Sequence, residues 1–191
     1  MSVWPVTGAP ERFGAPHGVH FAALTPAVVE ADYAAVMRDI PMLRDWSGQD
    51  WPTPEFTLAE NLADLERHHR EQQEGVALTY SVVLDGTIQG CIYVHPVAAS
   101  LTTRDVTPVP PFRWNERDAA VRGWSHGLAA DLLIEASFAL LRSPGLSFGR
   151  LWWQANTRCA EQLAACVRLG LTERHDHDGP TGTWAMCVVP E

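Results

Sequence analysis

Residues 121–141 read VRGWSHGLAADLLIEASFALL, and this stretch decides the fold. Its beginning, with the two alanines before it, is a short apolar run that is typical of a buried strand. Its end, over residues 127–141, has the composition and length of a helix. The join, SHG at residues 125–127, contains no bulky apolar residue and no proline. We therefore predict a strand over residues 119–124 that continues into a helix through a corner of small residues.

Such a corner is suited to an anion, commonly a phosphate. The first amides of a helix have no partner within the helix, and the backbone dipole makes that end partly positive. Gly127 would let a ligand approach the backbone closely, and Ala129 and Ala130 leave the first turn uncovered. Many ordinary strand–helix turns share these features, so the interpretation depends on the surrounding pattern.

The composition indicates one globular domain. The chain has 191 residues, of which 46% are hydrophobic and 19% charged, and this length is enough to bury a core. No uninterrupted apolar run approaches the ~20 residues that cross a bilayer, and the N-terminus lacks the pattern of a signal peptide. We expect an irregular arm over residues 1–18, a single domain over 19–191, no membrane partner and a cytoplasmic location.

The charge and the choice of basic residues exclude several functions. The formal net charge of −9 argues against nucleic acid as a partner, because its phosphates are bound by many cationic side chains. All 14 basic residues are arginine. The absence of lysine excludes a Schiff-base lysine and a phosphate-loop lysine. An anionic small molecule is compatible with this charge if backbone amides and a few arginines bind it.

The cysteines and histidines show no metal-site spacing. The run HDHD at residues 175–178 precedes Gly-Pro, which favours a solvated loop over a metal site. No C-x-x-C pair occurs, and we predict free buried thiols at Cys91, Cys159, Cys166 and Cys187. We therefore predict no metal.

The first half of the chain predicts two helices and a hairpin. A strand over residues 19–24 precedes a helix, and a loop rich in proline and tryptophan follows over 41–54. Thr57 and Glu60 form a capping box at the start of a helix that ends near Glu74. Two apolar runs then surround Asp-Gly at residues 85–86, the dipeptide that favours a type I′ hairpin turn.

The second half predicts alternating strands and helices, which makes the fold a mixed α/β sheet. A long connection over residues 96–117 has no periodicity, and loops of this length are usually functional or mobile. The opening stretch follows this loop. The later elements are a strand over 148–156, a helix over 157–169 that ends at Gly170, a turn-rich loop over 175–182 and a final strand over 183–190.

This order of elements resembles the GNAT family of acyl-CoA-dependent N-acetyltransferases. Residues 124–129, WSHGLA, are similar to the family's pyrophosphate loop Q/R-x-x-G-x-G/A: Gly127 and Ala129 match, whereas Trp124 stands where a basic or amide residue is usual. Residues 156–171, NTRCAEQLAACVRLGL, are similar to the signature N-x-x-[SAC]…LG[FL] with a wider spacing. The resemblance covers residues 19–190 and is greatest to a branch of small bacterial acetyltransferases of undefined substrate.

The resemblance implies a mixed, mostly antiparallel central sheet flanked by helices, with acetyl-CoA as co-substrate. The pantetheine arm would lie along the strand at Val121, Arg122, Gly123 and Trp124. The pyrophosphate would contact the corner at Ser125, His126, Gly127, Leu128, Ala129 and Ala130. His126 or Arg122 would add positive charge, and Asn156 would belong to the same cofactor site.

The implied reaction transfers an acetyl group to a small-molecule amine or an exposed amino group by direct attack in a ternary complex. A strand amide near Gly123 or Trp124 would stabilise the developing oxyanion. The candidate catalytic residues are Asp118 and His126 as bases, with His95 and Glu116 as further choices, and Cys166 as the acid.

Two other hypotheses stay open at this point. Ala120 stands where the family often has an acidic residue on the strand, which favours a catalytically silent relative that binds acyl-CoA or a protein partner as a regulatory module. An adaptor that uses the tryptophan-rich loop without a cofactor is the third reading. In this family that loop borders the acceptor pocket, and its residues Asp45, Trp46, Asp50 and Trp51 would suit a cationic amine. A homodimer is compatible with each hypothesis.

Overall fold

The computed structural model describes residue 4 and residues 8–103 and 112–190, which form one mixed sheet with helices on both faces. The strands are β1 (Arg12–Gly14), β2 (His20–Ala23), β3 (Leu78–Leu84), β4 (Thr87–Pro96), β5 (Ala119–Ser125), β6 (Leu151–Asn156), β7 (Glu173–Gly179) and β8 (Gly182–Val188). Within the described residues their order in the sheet is β1-β2-β3-β4-β5-β6-β8-β7. Neighbouring strands are antiparallel except β5 and β6, which are parallel. The mixed, mostly antiparallel sheet predicted from the sequence is confirmed.

The helices form two layers. They are α1 (Val29–Val36), α2 (Ile40–Ser47), α3 (Leu58–Gln73), α4 (Val97–Thr103), α5 (Ala130–Leu141) and α6 (Ala160–Arg168). Helices α1, α2 and α3 share a core with one face of the sheet, where Trp46 packs near Tyr93. Helices α5 and α6 share a larger core with the other face, which includes Ile134 and Val121.

From Cys91 onward, β4 separates the two cores by alternation, and so does β5 between Val121 and Trp124. On β4, Ile92 belongs to the core under α5 and α6, whereas Tyr93 belongs to the core under α1, α2 and α3. On β5, Val121 faces the first of these cores and Trp124 faces the second. Because side chains of a strand point alternately to opposite faces, Arg122 lies on the same face as Trp124.

Several local predictions are confirmed. The strands β3 and β4 form the predicted hairpin, and its turn residues Asp85 and Gly86 both have positive φ angles of 49° and 75°, as a type I′ turn requires. At the start of α3, Thr57 Oγ1 accepts from the Glu60 amide at 3.2 Å and Glu60 Oε2 accepts from the Thr57 amide at 2.7 Å. This is the predicted capping box.

Two segments that were predicted to be loops contain helices. Within residues 41–54, the chain forms most of α2, because the Asp39 carboxylate caps the helix by accepting from the Met42 amide at 3.0 Å. Within residues 96–117, the first part forms α4, whose Val97 and Leu101 are four residues apart and both buried. Residues 104–111 of that segment lie outside the described residues.

Two strands lie where irregular structure was predicted. The predicted arm contains β1, which pairs with β2, so that Phe13 lies opposite Phe21. The predicted loop over 175–182 falls largely in β7, which pairs with β8 along its whole length. The polar sequence of β7 is tolerated because β7 is an edge strand, and only His177 on it is buried. Among the described residues, no helix has both the length and the apolar character to cross a membrane.

Candidate active site

The parallel strands β5 and β6 diverge and leave a gap in the sheet. Their pairing ends at Val121 opposite Trp153, although each strand continues for several residues, and the rest of β6 is paired with β8 on its other edge alone. The side chain of Gln162 on α6 bridges this gap. Its Nε2 donates to the Gly123 carbonyl at 2.9 Å, and its Oε1 accepts from Trp153 Nε1 at 3.2 Å.

The backbone of Gly123 faces the gap. In a strand, the N–H and C=O of one residue point to the same edge, and the next residue points to the other edge. Because the Gly123 carbonyl is directed at Gln162 and the ladder to β6 has already ended, the Gly123 N–H is also directed into the gap. The amide of His126, three residues later, points to the other edge of β5, where it donates to the Gln89 carbonyl on β4 at 2.7 Å.

The corner after β5 leaves the start of α5 open. Gly127 has a φ of +71° and is exposed, and a Cβ placed on it would have nothing within 4 Å. Ala129 is the N-cap in an extended conformation and no side chain caps the helix, which begins at Ala130 rather than at Gly127. The first hydrogen bond at this end runs from the Leu133 amide to the Ala129 carbonyl at 3.0 Å. The amides of the first turn therefore find no acceptor in the helix.

A cavity of about 570 Å³ lies on the other side of β5, between β4, β5 and the helices α1, α2 and α3. Its volume is in the range of small-molecule sites. The polar and aromatic residues that line it are Asp32, Trp46, Gln49, Trp51, Asn61, Asp64, Arg67, His68, Glu71, Cys91, Tyr93, His95 and Arg122.

Asp32 is a buried carboxylate on the wall of this cavity. Its side chain is 3% exposed, and it accepts hydrogen bonds from Asn61 Nδ2 at 3.0 Å and from the Cys91 thiol at 3.5 Å. Burial raises the pKa of Asp32 above its ordinary value of 3.8. Cys91 lies directly opposite Trp124 in the β4–β5 register, so Asp32 is one strand away from the gap at Gly123.

Arg122 extends from β5 into the same cavity. Its guanidinium carbon lies 4.5 Å from the ring centre of Trp46, 5.2 Å from Tyr93 and 5.8 Å from Trp184. Burial lowers the pKa of Arg122 to about 10, so the group is still charged at neutral pH. Since α5 covers the opposite face of the sheet, this guanidinium points away from the open start of α5.

The other charges of the cavity wall are paired. Arg67 contacts Asp64 at 3.1 Å and Glu71 at 3.3 Å, and His68 Nδ1 lies 3.1 Å from the second oxygen of Glu71. Burial, followed by the nearby charge of Arg67, lowers the pKa of His68 to about 4. His68 is therefore neutral at pH 7.

The residues predicted to be catalytic do not meet around this cavity. Asp118 is 1% exposed and accepts from the backbone amides of Asn115 at 3.2 Å and Arg150 at 2.9 Å, so it fixes the loops that precede β5 and β6. Its carboxylate does not line the cavity. Glu116 is exposed in the same loop, and only His95 of the predicted bases lines the cavity.

His126 and Cys166 also lie elsewhere. His126 Nε2 is 3.0 Å from the Ala35 carbonyl on α1, and its ring packs edge-on against Trp124. Cys166 lies on the buried face of α6 beside Cys187, and the contact with that thiol, together with burial, raises the pKa of Cys166. Its side chain belongs to the core on the opposite face of the sheet and does not line the cavity.

The residues predicted to bind the cofactor divide into three groups. Gly123, Gly127 and Ala129 present backbone to the gap or to the open corner. Asn156 is fully buried, and its side chain donates to the Thr181 carbonyl at 3.2 Å and accepts from the Arg158 amide at 3.1 Å. The remaining side chains pack in the two cores, line the cavity or lie at the corner: Val121, Arg122, Trp124, Ser125, His126, Leu128 and Ala130.

Sequence reasoning missed Asp32, although a signal was present. On α1, Asp32 is followed by Ala35 and Val36 at helical spacing, and all three are buried on one helix face. An acidic residue on an apolar helix face is a candidate functional group, because burial of a carboxylate costs free energy and such residues are often found at functional sites. Among the described residues, no group of three His, Cys, Asp or Glu side chains is arranged to hold a metal.

Solved structures of acetyltransferases share this fold. The microcin C7 self-immunity acetyltransferase MccE, in complex with acetyl-CoA and AMP, is 12% identical with a TM-score of 0.69, and the match covers 96% of this chain and 98% of MccE. RimJ of Mycobacterium smegmatis, in complex with CoA-disulfide, is 14% identical with a TM-score of 0.65 over 93% and 85% of the two chains. The aminoglycoside acetyltransferase AAC(6')-Ib, in complex with paromomycin and acetyl-CoA, is 15% identical with a TM-score of 0.65 over 91% and 94%.

These matches confirm the GNAT fold that the sequence resemblance implied. At such low identities the likeness concerns the fold alone. The sequence itself matches no protein-family model and no curated protein.

Proposed function

We propose that the protein is an acetyl-CoA-dependent N-acetyltransferase that acetylates a small amine or an exposed amino group. The observation that carries this proposal is the position of β5. One edge of this strand borders the gap left by β6, its end leads into the uncapped start of α5, and one of its faces lines the cavity. A single strand therefore connects a place for the cofactor with a place for the acceptor.

The residues at the gap and the corner fit coenzyme A. The open amides from Gly127 into the first turn of α5 suit a diphosphate, because nothing in the helix or in a capping side chain satisfies them. The Gly123 carbonyl already accepts from the primary amide of Gln162, and the amides of a pantetheine arm are donors of the same kind. No lysine or arginine is required for these contacts, which agrees with the net charge of −9.

Bound acetyl-CoA supplies the activated acetyl group as a thioester. The Gly123 N–H, directed into the gap, is suited to stabilise negative charge on the thioester oxygen as the amine attacks. The cavity positions the amine on the acceptor side of β5, so that attack is effectively intramolecular. The sequence left open whether the amide that stabilises the oxyanion belongs to Gly123 or Trp124. We choose Gly123, because the N–H of Trp124 points to the other edge of the strand.

We propose Asp32 as the base that takes the proton from the attacking amine. Its raised pKa brings the carboxylate closer to the amine in basicity than an exposed aspartate would be. Tyr93 lines the cavity, and burial raises the pKa of its hydroxyl well above the ordinary value of 10, so this group is protonated. We propose that it gives its proton to the departing thiolate in place of its present contact with Cys91. The hydroxyls of Tyr33 and Tyr80 instead donate to the carbonyls of Phe56 and Pro10.

Calorimetry and turnover together test this proposal. Titration with acetyl-CoA is expected to give saturable binding, and a panel of amines is expected to release free thiol from acetyl-CoA in an amine-dependent manner. Absence of binding contradicts the whole proposal. Binding without turnover of any amine contradicts the enzymatic part and favours the alternative of a regulatory module that binds acyl-CoA.

A further inference from the structure

Arg122 is a charged group on the cavity wall that has no counter-ion among the described residues. No carboxylate among the described residues lies within ion-pair distance of its guanidinium, which contacts the three aromatic rings described above. Aromatic faces attract a cation but offer no acceptor for its five N–H groups. A half-buried cation held in this way is costly unless an anion completes the site.

The neighbouring charges do not supply that anion. The carboxylates of Asp64 and Glu71 are engaged with Arg67, and Glu71 also contacts His68. Asp32 accepts from Asn61 and Cys91. The carboxylates of the cavity wall are therefore engaged with other groups, and Arg122 is the guanidinium there that has no carboxylate of its own among the described residues.

A second donor next to Arg122 also lacks a partner. The indole N–H of Trp46 is buried and has no acceptor among the described residues, and Trp46 is 2% exposed. Its ring lies under the Arg122 guanidinium at 4.5 Å, and both residues line the cavity. This N–H has almost no exposed surface, so a carboxylate in the cavity would first meet the Arg122 guanidinium, which can bind it in a bidentate manner.

We propose that the acceptor of this enzyme is an amine that also carries a carboxylate, and that Arg122 binds that carboxylate in the cavity beside Trp46. This inference rests on the proposed acetyl transfer and adds a substrate class to it. Arg122 then determines specificity, while the amine end of the substrate faces Asp32 and the gap.

Matched pairs of acceptors test the inference. Each ω-amino acid from glycine to 6-aminohexanoate is compared with its carboxamide, so that only the negative charge differs within a pair. For the chain length that fits best, kcat/KM of the carboxylate is expected to exceed that of the carboxamide by at least about tenfold, which corresponds to about 1.4 kcal/mol. In Arg122→Gln this ratio is expected to fall close to one through a higher KM for the carboxylate, with the carboxamide little affected.

Arg142→Gln is the control for a general loss of positive charge, because Arg142 is exposed at the end of α5 and does not line the cavity. Its ratio of carboxylate to carboxamide is expected to stay near that of the wild type. Equal kcat/KM values for both members of every pair in the wild type would overturn the inference. An equal loss of kcat on both members in Arg122→Gln would also overturn it, since Arg122 would then act at the thioester.

A binding measurement separates this inference from the proposed function. Saturable quenching or enhancement of tryptophan fluorescence by the best carboxylate, absent with its carboxamide and absent in Arg122→Gln, is expected because Trp46 lies beside the guanidinium. That result supports the carboxylate site even if no acetyl transfer is found. Turnover of amines without any preference for the carboxylate and without this fluorescence change leaves acetyl transfer in place and overturns the inference.

Discussion

The corner between β5 and α5 presents backbone, whereas the cavity between β4, β5 and helices α1 to α3 presents side chains. The corner consists of residues adjacent in the chain. Its amides are open to a ligand because no side chain caps the helix, Gly127 has free space around it, and the first amides of a helix have no acceptor within the helix. The cavity collects Asp32, Asn61, Cys91 and Arg122 from four separate elements. A backbone site tolerates almost any sequence that keeps it open, while a side-chain site is specific to one set of residues.

The largest expected effect concerns the cavity. Asp32→Asn removes the proposed base, so kcat is expected to fall about 10²- to 10⁴-fold, the range that general-base catalysis contributes. Asparagine can keep its oxygen toward Asn61, so the fold should persist and acetyl-CoA affinity should be unchanged. Steady-state kinetics and calorimetry measure the two quantities. A kcat within about threefold of the wild type would remove Asp32 from the mechanism.

The next effect concerns the corner. Gly127→Glu places a side chain and a negative charge where the diphosphate is proposed to bind, and acetyl-CoA affinity is expected to fall at least about 100-fold, or about 2.7 kcal/mol. Gly18→Glu is the matched control, because Gly18 also has a positive φ, +75°, and free space around it, but it lies in the N-terminal segment. Equal affinities for both variants in calorimetry would place the diphosphate elsewhere.

A smaller effect contrasts two buried aspartates. Asp118→Ala leaves the amides of Asn115 and Arg150 without their acceptor, so the free energy of unfolding is expected to fall by about 2–3 kcal/mol in denaturant titrations. Below the temperature of unfolding, kcat per folded molecule is expected to match the wild type. A large loss of kcat in a folded Asp118→Ala protein would instead support the earlier prediction that Asp118 is a catalytic base.

The smallest expected effect is the pH dependence of stability in Asp32→Asn. The pKa of Asp32 is higher in the folded chain than its ordinary value of 3.8, so the folded state favours the protonated acid. The free energy of unfolding therefore decreases as pH rises through the folded pKa and the acid becomes ionised. The melting temperature of Asp32→Asn should equal that of the wild type below about pH 3.8 and exceed it at neutral pH. A variant less stable than the wild type at pH 8 would contradict a raised pKa.

The sequence predicts the corner because its signals are local. The strand, the small residues and Gly127 with its positive φ all lie within one stretch of the chain, and the predicted hairpin and capping box are equally local. Helix α2 was missed although its signal is also local, because Asp39 caps the helix and the proline after it lies in the first turn. Strand β7 was missed because its polar sequence is stabilised by pairing with β8 at the edge of the sheet.

The cavity could not be predicted because it depends on which face of the sheet packs against the helices α1 to α3. Arg122 was expected to add charge near the diphosphate, and only the alternation of β5 between two cores shows that it faces the helices α1 to α3. Asp32 was hidden because its partners Asn61 and Cys91 are 29 and 59 residues away in the chain. Asp118 and Asn156 were predicted to belong to the site from their positions in the sequence. In the structure, the side chains of both residues are hydrogen-bonded to backbone groups of neighbouring loops.

A crystal structure of the protein with coenzyme A tests the central claim most directly. Our account predicts that the diphosphate oxygens lie within hydrogen-bond distance of the amides at Gly127 and the first turn of α5, with the pantetheine arm in the gap beside Gly123. Coenzyme A bound at another surface, with the gap still bridged by Gln162 and the start of α5 in contact with solvent alone, would contradict it.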